Sequence, residues 1–85
     1  MEKYYFTFGI GMYLNGTPLK NKYVEITAMD AYDARDIMIS WFGTKWAFQY
    51  KEDDWEGVMK EFPEYELLEQ IDKRNENEVL GVNIL

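Results

Sequence analysis

Nine of the chain's sixteen carboxylates lie between Glu52 and Asp72, a stretch of twenty-one residues holding one base, Lys60. That window carries a net charge of −8, while the remaining eight bases and seven acids sum to +1. Glu52, Asp53, Asp54 and Glu56, then Glu61, Glu64, Glu66 and Glu69, supply oxygen ligands in quantity. The alternating D-x-D-x-D-G spacing of a calcium loop is missing, so no metal site is expected. A glycosidase-like carboxylate pair needs a fixed separation across a substrate, and nothing in the spacing specifies one. Two readings remain. The acids form a solvated face that keeps the protein dispersed, or they form a negative surface that docks into a basic groove, imitating nucleic-acid phosphates.

Other reactive groups are sparse. Histidine and cysteine are absent, which removes the commonest general base, metal ligand and nucleophile. Thr7, Ser40, Thr44 and Lys45 make no nucleophile constellation without a base to activate them. Gly9-x-Gly11 follows a strand pattern like the start of a dinucleotide fingerprint, but Leu14 stands at the third glycine position and no helix follows. No catalytic residue and no cofactor are expected. Gly9, Gly11, Lys20, Lys22 and Arg35 instead offer a second possibility. A glycine-bearing loop could approach a signalling nucleotide, with cations meeting its phosphate, if an oligomer sequestered the ligand between subunits. The aromatic runs Tyr4 to Phe8 and Trp46 to Tyr50 would suit base stacking, yet they lack a surrounding basic field. With a pI near 4.4 the chain repels nucleic acid and anionic membranes, and the aromatics read as core.

The elements that position these groups follow from periodicity. Residues 4–14 alternate, with Tyr4, Phe6, Phe8, Ile10, Met12 and Leu14 on one side, and predict a strand with one buried face. Asn15-Gly16 predicts a type I′ turn. A two-residue turn there would pair Phe6 with Glu25 and set a carboxylate beside the aromatic face. A one-residue slip repairs this, so the hairpin is expected to be interrupted between Gly9 and Asn21. The second strand runs from Tyr23 to Ala28. Asp30 then caps a helix whose stripe is Ala34, Ile37, Met38, Trp41 and Phe42, stopped by Gly43. Trp46 to Tyr50 predicts a strand with Trp46, Phe48 and Tyr50 facing one way. Asp53 or Asp54 is expected to cap a short second helix with stripe Trp55, Val58, Met59 and Phe62, ended by Pro63. Residues 65–71 suit strand or helix, with strand favoured, and Leu80, Val82 and Ile84 predict a terminal strand able to pair with another copy.

The resulting expectation is one α+β domain over residues 1–85, with residues 72–85 as a C-terminal extension. It has two layers: an antiparallel β-β-α-β-α-β sheet plus the terminal strand, covered by one amphipathic helix. Eighty-five residues without a disulfide must rely on apolar burial, and 47% hydrophobic and 18% aromatic content supplies it. No apolar run approaches the ~20 residues of a membrane span. Met1-Glu2-Lys3 leads straight into the strand pattern instead of a signal segment, so a cytoplasmic location is expected.

Tyr5-Phe6-Thr7-Phe8-Gly9 with Gly11, Ala31-Tyr32-Asp33-Ala34-Arg35, Met38, and Phe42-Gly43-Thr44-Lys45-Trp46-Ala47-Phe48-Gln49-Tyr50 together carry a resemblance. The chain resembles a group of small, mostly uncharacterised proteins of bacteriophages and prophages. Lys3 to Tyr50 is the part that resembles them, and Lys45 to Tyr50 is its most distinctive segment. The resemblance transfers no catalytic residue. It implies a setting, a bacterial host cytoplasm, in which small acidic phage proteins act against host or defence factors by binding. The expected function is accordingly a non-enzymatic inhibitor whose partner is a host protein with a basic surface. The alternatives are the nucleotide-sequestering oligomer and a structural or regulatory phage protein.

Overall fold

A computed structural model describes residues 1–72 and gives an α+β domain. In chain order the elements are β1 (Glu2–Thr7), β2 (Tyr13–Leu14), β3 (Thr17–Pro18), β4 (Lys22–Ala28), α1 (Ala31–Phe42), β5 (Phe48–Lys51), α2 (Glu52–Glu61) and β6 (Glu66–Ile71). The main sheet has the order β5-β1-β4-β6, and β2 and β3 form a separate two-stranded ribbon. The predicted terminal strand, its pairing with another copy and the C-terminal extension beyond Asp72 lie outside the described residues.

The expected interruption of the first hairpin is present. β1 pairs antiparallel with β4 in a register that sets Phe6 opposite Val24 and Tyr5 opposite Glu25. Asn15 and Gly16 have φ of 50° and 82°, the two positive values of a type I′ turn, but they close only the small β2–β3 ribbon. The long first strand is shorter than its alternation predicts. It ends at Thr7, whose carbonyl accepts from the Ala47 amide, and Ile10 stands exposed in the turn that Gly11 makes at φ 87°. Leu19, fully buried, pins the inserted ribbon to the core.

α1 forms where Asp30 offers a cap. Its side chain accepts from the Asp33 amide at 2.8 Å, and Asp33 accepts from the Met29 amide at 3.0 Å. At the other end the Gly43 amide donates to the Ile39 carbonyl, with φ at 62°. Between these stops Ala34, Ile37, Met38 and Phe42 are buried against Tyr4, Phe6, Phe8, Val24, Ile26 and Ala28. Asp30→Ala is expected to lower stability by about 1 kcal/mol, read from urea denaturation midpoints. A change within error would show that Asp33 and solvent satisfy the helix start without it.

Two features depart from the two-layer antiparallel expectation. The sheet is mixed, because β6 lies parallel to β4. Its register jumps from Tyr23 opposite Leu67 to Val24 opposite Glu69, leaving Leu68 as the extra residue of a bulge. Without the jump Glu69 would face Glu25, and Ile71 would land on the wrong side of the sheet. With it, Gln70 faces Glu25 and donates to its carboxylate at 3.2 Å, and Ile71 is buried in the core beneath α1. The second departure is that both faces are covered. α1 packs on the Phe6 side, while α2 packs on the side that carries Tyr5, Tyr23 and Tyr50. Trp46 also departs from expectation. It precedes β5 and meets Phe6 edge-on at 5.1 Å, whereas Phe48 and Tyr50 turn the other way.

Candidate functional site: the outer face of the acidic helix

β5 runs directly into α2, because Lys51 is both the last residue of the strand and the N-cap of the helix. Neither Asp53 nor Asp54 is the cap, which corrects the sequence expectation. Lys51 makes no capping bond through its side chain, and Glu52, Asp53 and Asp54 occupy the first turn. There the unpaired N–H groups and the positive end of the helix dipole favour negative charge, by about 0.3–1 kcal/mol per carboxylate. Three acids in a row are therefore compatible with a helix start that lacks a side-chain cap.

One residue orients this helix. Trp55 is the buried member of α2, at 5% exposure, and stacks on Tyr5 with ring centroids 5.0 Å apart and planes within 5°. Tyr23, Tyr50 and Tyr65 surround it at 4.8, 5.6 and 5.8 Å. Val58 and Met59 are half-buried on the same stripe. With about 100° between successive residues, seating Trp55 on the sheet turns Asp53, Asp54, Glu56 and Glu61 outward. All four are exposed, as are Glu52 and Glu64. Among the described residues the ion pair is Lys22 with Glu66, at 3.4 Å on β4 and β6.

The structure thus sorts the eight expected carriers. Glu52, Asp53, Asp54, Glu56 and Glu61 share one helix, and Glu64 sits in the turn that follows it. Glu66 and Glu69 belong to β6, at the sheet edge remote from β5. Glu66 is paired to Lys22 and Glu69 is half-buried. The acidic surface is consequently that of α2 and the turn after it, while Glu66 and Glu69 lie on an edge strand.

The five residues of the second possible site occupy separate elements. Gly9 and Gly11 lie between β1 and β2, Lys20 between β3 and β4, Lys22 on β4 and Arg35 on α1. Lys22 is engaged by Glu66, and the Arg35 guanidinium lies 5.8 Å from the Trp46 ring centroid. A shallow groove of about 390 Å³ runs beside the start of α2, lined by Met1, Glu2, Lys3, Tyr4, Lys51, Glu52 and Asp53. Its two lysines and three acids favour neither sign of ligand.

The aromatic seat beneath α2 is the part that sequence reasoning missed. Tyr5, Tyr23 and Tyr50 fall at alternate positions on three adjacent strands, and an aromatic face of that kind asks for a cover. Trp55 was the signal, a large ring inside an otherwise polar helix. Tyr23 and Tyr65 are both packed on Trp55.

Burial raises the phenol pKa of Tyr5, reinforced by the carboxylates of Glu25 and Glu52. Burial likewise raises those of Tyr23 and Tyr65, helped respectively by Glu25 and by the neighbouring Tyr50. Above about pH 10 the unfolded chain loses these protons while the native state keeps them. The native state then binds more protons, so stability is complete below that pH and falls as pH rises toward the folded values. Urea midpoints are expected to hold up to about pH 9 and drop steeply beyond about pH 10, with a shallower drop in Tyr5→Phe. A Tyr5→Phe curve parallel to that of the parent would remove the phenol at Tyr5 from this account.

Compared with models of known families, with curated proteins and with solved structures, the chain gives no match.

Proposed function

We propose that this chain is a non-enzymatic binding protein whose outer α2 face occupies a basic surface on another protein, in place of nucleic-acid phosphates. The resemblance to phage proteins supplies the setting. The partner is then a bacterial host or defence factor that handles nucleic acid, met in the host cytoplasm. The observation that carries the reading is that Trp55, buried alone on α2, turns Asp53, Asp54, Glu56 and Glu61 together toward solvent. Five acids against one base leave −4 on ten residues, which rise about 15 Å. That is one net charge per about 4 Å, near the 3.4 Å per charge along one strand of duplex DNA. Scattered acids would serve solubility equally well, and such linear density on a fixed helix suits docking better.

The test is retention of bacterial nucleic-acid-binding proteins on the immobilised chain at low salt. Elution by added duplex DNA or by salt is expected, with loss of retention when Asp53, Asp54 and Glu56 are reversed. Retention that ignores both DNA and charge reversal would sink the reading.

A further inference from the structure

The face of α1 turned away from the core has a pattern of its own. Tyr32 is 80% exposed and Ile39 41% exposed, seven residues or about two helical turns apart. Between them stand Arg35 and Asp36; Asp36 is exposed and Arg35 is exposed beside it. At about 100° per residue the four side chains share one stripe, opposite the buried Ala34, Ile37 and Met38. The stripe is self-complementary. The midpoint between Tyr32 and Ile39 coincides with the midpoint between Arg35 and Asp36. A twofold axis through that point, relating two antiparallel helices, sets Tyr32 against the second copy's Ile39 and Arg35 against the second copy's Asp36, each twice.

We propose that this face of α1 is a homodimer interface with that register. The occupant is a second copy of this chain because the charge pattern answers itself: a parallel pairing, or an antiparallel one shifted by a single residue, would bring like charges together. Arg35 is held in advance by the Trp46 ring, which leaves less rotamer freedom to lose on pairing. α2 lies on the opposite side of the sheet, so dimerisation leaves both acidic faces open, and the inference does not depend on what they bind. A helix of twelve residues is about 18 Å long and offers well under the roughly 800 Å² per partner of a standard interface. Association is therefore weak and transient, and its midpoint is sought between about 1 µM and 1 mM protein.

Sedimentation equilibrium near physiological salt tests this, with protein across that range. The average mass is expected to climb reversibly from 10.2 kDa toward twice that value. Arg35→Asp sets carboxylate against carboxylate across the twofold axis, and Asp36→Arg sets guanidinium against guanidinium. Each variant alone should therefore associate at least tenfold more weakly. Mixed in equal amounts the two variants restore both opposite-charge pairs, and the mixture should dimerise as the parent does. Circular dichroism establishes that each variant is folded. A parent that stays monomeric throughout, single variants that dimerise undiminished, or a mixture that fails to recover would each overturn the proposal.

Discussion

Trp55→Ala is expected to lower stability by about 3–5 kcal/mol, the cost of removing a large buried ring whose site cannot collapse around the gap. For 85 residues the whole of stability is about 4–13 kcal/mol, so a large share rests on this side chain. The stack on Tyr5 adds directional contact beyond burial, about 0.5–1.5 kcal/mol for a well-placed aromatic pair. The consequence for α2 is local as well as global. A helix of ten residues is marginal on its own, and Trp55 is its buried residue. The variant should therefore lose helical signal before the sheet melts. Phe62→Ala, at a position 42% exposed, is expected to cost less than about 1 kcal/mol. Trp55→Ala with a urea midpoint and a helical signal near those of the parent would show that α2 is held by something other than its tryptophan.

The contrast between the helices explains which parts of the fold were readable along the chain. α1 announces itself because every local preference agrees: Asp30 caps, the apolar stripe repeats at helical spacing, and Gly43 stops it. The interruption of the first hairpin was readable for a different reason. Glu25 stays off the face that holds Phe6 and Val24 only when the pairing is shifted by an odd number of residues from the two-residue turn. A charge therefore predicted the interruption, while the exact register came from the structure. Residues 65–71 were ambiguous because the bulge at Leu68 breaks the alternation that identifies a strand. Parallel pairing with β4 was hidden as well, since β6 reaches it only after the chain has crossed the sheet with α2.

The candidate site divides in the same way. The acid content of the second half was plain, but its gathering on one face depends on Trp55 seating against Tyr5, a contact fifty residues long in sequence. The tyrosines gave little warning. Tyr5, Tyr23 and Tyr50 are amphipathic, and an alternating strand with tyrosine on its second face reads as half-solvated until a cover is known.

Reversal of Asp53, Asp54 and Glu56 to lysine is the change expected to act most strongly on binding. It shifts the charge of α2 by +6, from −4 to +2, without touching Trp55 or the sheet. A basic partner surface then meets repulsion where it met attraction. Electrostatic steering contributes about 10- to 10³-fold to association rates, and like charges in contact oppose the complex further. Affinity at low salt should fall on the order of 10²- to 10³-fold, mainly through the on-rate. The gap should narrow as salt shortens the screening length from about 10 Å at 0.1 M toward 3 Å at 1 M. Two of these acids lie in the first turn, so the reversal also costs about 1–2 kcal/mol of helix stability. Asp53→Asn with Asp54→Asn and Glu56→Gln separates the effects. It keeps the shape and removes the charge, and should give an intermediate affinity with a flattened salt dependence. Equal affinity among the parent, the amide variant and the lysine variant at low salt would mean that the carboxylates of α2 are solvated surface, and that any partner docks elsewhere.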